Sequence, residues 1–211
     1  MFWQSVIIAI TLALGITCYK AVIVWNSVTN PKHKKEWLHL YWFFYGSYGK
    51  TGIKLPRAFL PMFRRFERKK FGLIFEASRV VVINNSKDGP LVLLCQFAEK
   101  RRKNGIEYDL GAAGMVPIES TPIKTAGDEL GEELGIKNVA IKYCGTVMPF
   151  QGYSCIIHMY VVNMSLDTVF TDRDDTYSDV QWIPISEWSK YEKKMRPDVV
   201  LTMRDLDRIC K

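Results

Sequence analysis

Residues 114–136, which read GMVPIESTPIKTAGDELGEELGI, decide the fold of this chain. Thr121 and Pro122 are typical of the N-cap and the first position of a helix, and Gly135 is typical of the residue that ends one. The apolar residues between them recur at helical spacing; they are Ile123, Ala126, Leu130 and Leu134. The stretch therefore predicts an amphipathic helix over 121–134, with these four residues on its inner face.

Three carboxylates lie on one side of this predicted helix. Glu129, Glu132 and Glu133 are spaced i, i+3 and i+4, so their side chains project from the same face. Like charges at this spacing cost a solvated helix a few tenths of a kcal/mol per pair, and a divalent cation would remove that cost. Such a cluster is also typical of a solvated acidic face. The glycine turn before the helix and Gly135 after it favour a metal site.

The sequence around the helix predicts an α/β (α+β) domain over residues 77–211. Before the helix, Arg79–Asn84 and Leu91–Phe97 are apolar, β-branched runs separated by a polar turn, which predicts a hairpin. After it, strands are expected at about 139–147, 154–163 and 179–183. An amphipathic stretch from Ser186, with Trp188, Tyr191 and Met195 on its inner side, and a short helix over 198–209 complete the pattern.

Residues 114–136 resemble the Nudix box, Gx5Ex7REUxEExGU, in which U is an aliphatic residue. The matching residues are Gly114, Glu129, Leu130, Glu132, Glu133, Gly135 and Ile136. The preceding YDLGAAG is similar to the approach strand of the family. GTVMPFQGYS from Gly145 and VQWIPISEW from Val180 are similar to segments of ADP-ribose and nucleotide-sugar pyrophosphatases. The resemblance covers about residues 77–195 and implies an α/β/α sandwich with a mixed sheet.

The resemblance also implies a chemistry. It implies hydrolysis of a nucleoside diphosphate linked to another moiety, such as an ADP-ribose-like small molecule, with Mg²⁺ or Mn²⁺ as cofactor. The metal would lie on Glu129, Glu132 and Glu133, of which Glu132 and Glu133 are the predicted catalytic residues. Gly114, and Arg101 in the charged loop 99–105, are the predicted substrate-binding residues.

Two positions depart from the box. Ser120 stands where the family has a glutamate and Asp128 where it has an arginine, so the salt bridge that normally joins them is lost. A register with one extra residue places Glu119 at the glutamate position and Ala113 at the glycine position, without restoring the arginine. Lys124 lies one helical turn before Asp128, and we expect the two to pair.

A third departure concerns a distal acid. The loop after Gly152 reads YSCI where ADP-ribose-type enzymes usually carry a carboxylate. Asp172, Asp174 and Asp175 are the candidates for a replacement, and they are equally typical of a solvated loop.

The N-terminal segment predicts a single transmembrane helix over residues 1–26. Lys20 is the only charged residue from Phe2 to Trp25. A helix of this length reaches about 36 Å, which exceeds a hydrocarbon core of about 30 Å. A cleaved signal peptide would begin with basic residues and end in a small-x-small site, and neither is present. A helix buried in protein is the other alternative.

Residues 27–76 predict a basic, aromatic juxtamembrane arm. Residues 1–80 contain 13 Lys or Arg and 3 Asp or Glu, whereas residues 81–211 contain 16 and 19. The arm includes KHKK at 32–35, the run LYWFFY at 40–45, and apolar residues at helical spacing from Leu55 to Phe66. We expect this arm either to be solvated or to bind anionic membrane lipid, with LYWFFY interfacial or packed against protein.

The charge distribution and the cysteines indicate the cellular compartment in which the domain lies. The positive-inside rule places the domain in the cytosol or the mitochondrial matrix, and an Arg-rich, acid-poor stretch after a span resembles an internal mitochondrial import signal. Five scattered cysteines without a CxxC favour a reducing compartment. We therefore expect a mitochondrial inner-membrane protein whose domain faces the matrix.

Three functions remain open from the sequence. The first is a membrane-anchored Nudix hydrolase. The second is a catalytically weak or inactive accessory subunit that packs against other membrane-protein subunits. The third is an RNA 5′-end pyrophosphohydrolase, which would use the basic arm. Because no RNA-binding motif is present, nucleic acid is not the partner that we expect.

Overall fold

A computed structural model describes part of the chain in detail. The described residues are 15, 36–44, 47–57, 72–87, 89–148, 155–170 and 174–209. Apart from Gly15, the expected transmembrane segment over 1–26 lies outside the described residues. In the part of the chain that is described, no helix combines the length and the apolar character needed to cross a membrane.

The chain divides into two compact units. The first comprises Met1–Phe75 with Phe150–Ser154, and the second comprises Glu76–Pro149 with Cys155–Lys211. The candidate site lies in the second unit.

An antiparallel hairpin forms the described part of the first unit. Its strands are β1, Trp37–Phe44, and β2, Ser47–Pro56. The first residues of β3, Gly72–Ser86, pair with β1 as well. Leu40 and Tyr41 are buried, so this part of the LYWFFY run packs against protein.

The hairpin corrects one expectation. Leu55 was expected to open a helical pattern, but it lies in β2, paired with Leu38 of β1. Strand pairing overrides the local helical spacing at this residue. Phe59, Met62, Phe63 and Phe66, the other members of that pattern, lie outside the described residues.

Strand β3 is the centre of the second unit. It forms a hairpin with β4, Gly89–Phe97, and pairs with β6, Ala112–Met115, and with β8, Cys155–Asn163. Two further strands pair with β4; they are β5, Tyr108–Leu110, and β9, Tyr177–Pro184. Strand β8 also pairs with β7, Lys142–Val147. The sequence predicted all of these strands except β6, although β3 begins earlier than expected and β7 begins later.

Helix α1, Pro122–Leu134, confirms the prediction from the opening motif. The Thr121 hydroxyl accepts a hydrogen bond from the Lys124 amide at 3.3 Å, and Gly135 ends the helix with φ 72°. Ala126, Leu130 and Leu134 are buried in one core cluster with residues of β3, β4 and β8. Ile123 was expected on the same inner face but is 51% exposed, because it lies in the first turn, ahead of the buried stripe.

The C-terminal part also follows the predicted pattern. A 3-10 helix, Ile185–Lys194, comes after β9, and helix α2, Pro197–Ile209, follows it. Trp188 and Tyr191 are partly buried and Met195 is buried. Among the α2 residues whose burial is described, the buried ones are Asp198, Val199, Thr202, Met203 and Leu206.

Candidate functional site

The candidate site begins at the turn between β5 and β6. Gly111 adopts φ 74°, and a Cβ atom there would overlap the carbonyl oxygen of Val80 in β3. A residue other than glycine would therefore be strained both sterically and conformationally. The turn brings β6 alongside β3, where Ala112 pairs with Val80 and Gly114 with Ser78.

Gly114 makes room for Glu129. A Cβ atom on Gly114 would overlap the carboxyl group of Glu129, which projects from α1. A side chain at position 114 would therefore displace the Glu129 carboxyl group from its place against the backbone of the turn. The two residues are 15 positions apart in the sequence, and the structure brings them into contact.

Glu133 lies against the same turn, one helical turn further along α1. Its Oε2 accepts hydrogen bonds from the backbone amide of Ala113, at 3.1 Å, and from the hydroxyl of Tyr177, at 3.3 Å. Burial raises the pKa of Glu133 well above its ordinary value, and the negative charges of Glu129 and Asp109 raise it further. The structure therefore brings carboxyl groups together at this point, and Glu133 keeps its proton to a higher pH than a solvated glutamate does.

Glu132 is connected to the site by its backbone. Its carbonyl oxygen accepts a hydrogen bond of 2.7 Å from the amide of Asp174. Among the described residues, no three His, Cys, Asp or Glu side chains form a group that could hold a metal ion. Of the three predicted metal ligands, the structure brings Glu129 and Glu133 together at the turn and does not group Glu132 with them.

The fold was compared with known proteins. No family sequence model and no curated protein matches the chain. Among solved structures, DR0079 from Deinococcus radiodurans matches with a TM-score of 0.51 and 15% identity, over 64% of this chain and 83% of that chain. The NUDIX domain of Shewanella oneidensis NrtR, solved with ADP ribose, also matches with a TM-score of 0.51 and 15% identity, over 67% and 91%.

The chain has a Nudix-like fold. The expectation of a mixed α+β architecture of this type is confirmed. At 15% identity the likeness shows the fold alone, and any activity has to be argued from the residues of the site.

The residues of the Nudix-like turn fit a divalent cation. Mg²⁺ is commonly bound through one or two carboxylates together with substrate phosphates and water, and Mn²⁺ also suits oxygen ligands. Glu129 and Glu133 supply two carboxylates, and the absence of a Cβ on Gly114 leaves the space that the Glu129 carboxyl occupies. The burial and repulsion that raise the pKa of Glu133 are penalties that a bound cation would offset.

Ser120 and Asp128, the two departures from the Nudix box, take local partners. The Lys124 ammonium lies 2.9 Å from Asp128 Oδ2, which confirms the predicted pair. The Thr125 hydroxyl donates to Ser120 Oγ at 3.0 Å. Glu119, the glutamate of the alternative register, is exposed. Since Gly114 contacts Glu129, the structure favours the register that counts from Gly114.

Arg101 lies in a short 3-10 helix, Glu99–Arg101, and its guanidinium is 3.7 Å from Asp175. Lys100 bonds the same carboxylate, and this hydrogen bond lowers the pKa of Asp175. The segment 174–177 connects this pair of cations to the site, because Asp174 bonds Glu132 and the Thr176 carbonyl accepts from Ala98 at 2.9 Å.

Among the described residues, neither Asp174 nor Asp175, two of the candidates for a distal acid, has a carboxylate contact with Glu129 or Glu133. The third candidate, Asp172, lies outside the described residues. Asp174 and Asp175 are exposed, and Asp174 Oδ1 accepts a hydrogen bond of 2.8 Å from the amide of Thr176. The Asp175 carboxylate instead pairs with the cations Lys100 and Arg101.

Sequence reasoning missed Tyr177. This residue begins β9 and is buried, its ring centroid lies 5.3 Å from that of Phe97, and its hydroxyl donates to the Gly111 carbonyl at 2.9 Å. Nothing in the local sequence distinguishes it from any other strand tyrosine. It is identified only by the distant residues that it contacts.

A buried ion network was missed as well. Arg79 of β3 is 1% exposed and bonds Asp109 of β5 and, at 2.7 Å, Asp198 of α2. Arg196 also bonds Asp109, and its guanidinium lies 5.8 Å from the Phe97 ring centroid. An arginine that opens the apolar run RVVVIN is the sequence signal that could have suggested a buried partner.

Proposed function

We propose that this protein is a divalent-metal-dependent pyrophosphohydrolase that cleaves a nucleoside diphosphate linked to another moiety. The observation that carries the proposal is the pair Glu129 and Glu133, held against the turn at Gly114. An ADP-ribose-like substrate is the class that we favour. The NUDIX domain of NrtR, which shares the fold, was solved with ADP ribose, and this supports the choice.

In this proposal each residue has a distinct role. Glu129 and Glu133 would hold Mg²⁺ or Mn²⁺, and Glu132, the neighbour of Glu133 in the sequence of α1, would serve as the acid–base group. When bound, such an ion neutralises diphosphate oxygens and activates water for attack at phosphorus. The Ala113 amide orients the Glu133 carboxylate. Lys100 and Arg101 would bind substrate phosphate in place of their present partner, Asp175.

The proposal is tested by hydrolysis assays on the purified full-length chain in detergent. The panel comprises ADP-ribose, nucleotide sugars and dinucleoside polyphosphates, each with Mg²⁺, Mn²⁺ or EDTA. Turnover should require the metal, and Glu133→Gln should reduce it by at least about 100-fold, because a ligand is lost. Asp128→Asn is the matched control, since that carboxylate pairs with Lys124 and should be dispensable.

Two outcomes would contradict the proposal: turnover that survives in Glu133→Gln, or no metal-dependent turnover of any compound in the panel.

A second function is favoured by a specific observation. The described carboxylates form no three-member metal group, and neither partner of the usual box salt bridge is present. We therefore propose as the alternative an accessory subunit of a membrane-protein complex, whose Nudix-like domain is weakly active or inactive. Comigration of the full chain with a large membrane assembly, unchanged by Glu133→Gln and without any turnover, would favour this alternative.

We also propose that residues 1–26 anchor the protein in a membrane, with the mitochondrial inner membrane and its matrix face as the leading location. The uncharged stretch before Lys20 and the basic residues 27–76 support this. Trp37, Trp42, Lys50 and Lys54 of the hairpin are exposed, a composition suited to anionic lipid. Import into isolated mitochondria followed by carbonate extraction tests it, and a chain that stays outside would contradict it.

A further inference from the structure

We propose that Tyr177 is a positioning residue that sets the orientation of the Glu133 carboxylate toward the bound cation. The inference rests on the proposed function above. It concerns a residue that lies outside the box and more than 40 positions after Glu133 in the chain.

The hydroxyl of Tyr177 lies between the turn after β5 and the Glu133 side chain of α1. It donates to the carbonyl oxygen of Gly111 at 2.9 Å and lies 3.3 Å from Glu133 Oε2. A hydroxyl has one proton, so the two acceptors share it. The hydrogen bond to the Gly111 carbonyl is the shorter of the two. Tyr177 therefore connects the turn that carries Gly114 with the helix that carries Glu133.

The hydrogen bonds to Glu133 are unevenly distributed over its two oxygens. The Ala113 amide and the Tyr177 hydroxyl both donate to Oε2. Among the described residues, no donor contacts Oε1. Because the terminal torsion of a glutamate is broad, two donors on one oxygen are an effective way to hold the carboxylate in one orientation. The protein thus holds Oε2, and in the proposal Oε1 is the oxygen that binds the cation.

The Tyr177 hydroxyl is a donor in a fixed place. A phenol keeps its proton at neutral pH, because its ordinary pKa is about 10. The ring is held in place by Phe97. A donor in a fixed place beside a ligand carboxylate is the arrangement by which residues outside a metal's own ligands tune its affinity.

Removal of the Tyr177 hydroxyl alone should weaken metal binding. Tyr177→Phe keeps the ring and its contact with Phe97 but removes the proton shared by Gly111 and Glu133. Loss of such a partner typically weakens metal binding by 10- to 100-fold, and we expect about tenfold here. The melting temperature should change by only a few degrees, since the packing is preserved.

The experiment is a Mn²⁺ titration of the full-length chain, followed by the electron paramagnetic resonance signal of free Mn²⁺, with the melting temperature measured on each sample. The wild type, Tyr177→Phe and Tyr108→Phe are compared. Tyr108 is the matched control, because its ring also packs in an aromatic pair, with Tyr191 at 5.1 Å. Amide hydrogen exchange of residues 110–115 provides a second measurement, since the turn should exchange faster without the hydroxyl.

Weaker Mn²⁺ binding and faster exchange in Tyr177→Phe, with Tyr108→Phe unchanged, would establish the positioning role. Wild-type affinity and exchange in Tyr177→Phe would overturn it while leaving the proposed function intact. A large fall in melting temperature confined to Tyr177→Phe would assign a structural role and would also overturn it. A wild type that does not bind Mn²⁺ would instead contradict the proposed function itself.

Discussion

Gly114 and Glu129 show at the scale of single residues why a motif position is glycine. The motif pairs them only as letters in a pattern, and the structure adds that a Cβ atom on Gly114 would overlap the Glu129 carboxyl group. The pKa of Glu133 also depends on its surroundings, because burial and the neighbouring carboxylates raise it. Both effects can be measured without knowledge of a substrate.

Gly114→Ala should weaken Mn²⁺ binding by about tenfold or more, because the added methyl group displaces the Glu129 carboxyl from the turn. The free energy of unfolding should fall by less than about 1 kcal/mol, because the displaced atoms end a flexible side chain. Gly127→Ala is the matched control in α1, where a Cβ atom would meet only Ile141 Cδ1 at 3.7 Å. This control should be neutral or stabilising by up to about 1 kcal/mol. Mn²⁺ titration and urea unfolding measure both variants, and equal Mn²⁺ affinity of the two would contradict the proposed contact.

Glu133 should make the metal-free protein less stable as the pH rises. Its folded pKa lies above the unfolded value of about 4.3, so the folded state retains a proton that the unfolded state has lost. The free energy of unfolding therefore falls between the unfolded and the folded pKa, by about 1.4 kcal/mol for each unit of pKa difference.

Glu133→Gln should remove this dependence, so that in EDTA the variant is more stable than the wild type at pH 7–8 and the difference narrows toward pH 4. Urea unfolding over a pH series measures it. Parallel pH profiles for the two proteins would show that the carboxylate is not desolvated.

At the scale of secondary-structure elements, local signals predicted α1 more accurately than the strands. A cap, a first-position proline and a terminal glycine act within one turn of the helix, so they can be identified from neighbouring residues. Strand β3 begins at Gly72, well before the apolar run that predicted it, because its first residues pair with β1. Pairing with a distant strand leaves no local signal.

Thr121→Ala should destabilise the protein by about 1 kcal/mol, because the Lys124 amide loses the hydroxyl that accepts its hydrogen bond. Thr121→Ser keeps an oxygen at the same position and should stay within a few tenths of a kcal/mol of the wild type. The midpoints of urea unfolding compare the two. A Thr121→Ser variant as unstable as Thr121→Ala would mean that the methyl group, rather than the cap, is what matters.

At the scale of the whole molecule, the features that sequence reasoning missed are those that join distant segments. Tyr177 contacts residues 66 and 44 positions away, and Arg79 bonds Asp198 across 119 positions. The motif predicted the Nudix-like fold, because that prediction follows from one continuous stretch. It also predicted three metal-binding glutamates on α1, of which the structure brings Glu129 and Glu133 together at the turn. The buried network depends on tertiary packing, which a single sequence reveals only as an arginine within an apolar run.

Arg79→Met should destabilise the protein by about 3–5 kcal/mol, because it leaves the buried carboxylates of Asp109 and Asp198 without the cation that joins β3, β5 and α2. Arg204→Met is the matched control. Arg204 forms an ion pair with Glu192 at the surface, and its loss should cost less than about 1 kcal/mol. Urea unfolding measures both, and a small effect of Arg79→Met would contradict a structural role for the network.

If Glu129 and Glu133 hold a divalent cation at the Gly114 turn, Mn²⁺ titration of the full-length chain will detect it. The wild type is compared with the double variant Glu129→Gln/Glu133→Gln. The control is Lys124→Gln/Asp128→Asn, which removes an exposed ion pair from the same helix. We expect saturable binding by the wild type and the control, and binding weaker by at least about 100-fold in the double glutamine variant. Equal binding by all three proteins would contradict the claim.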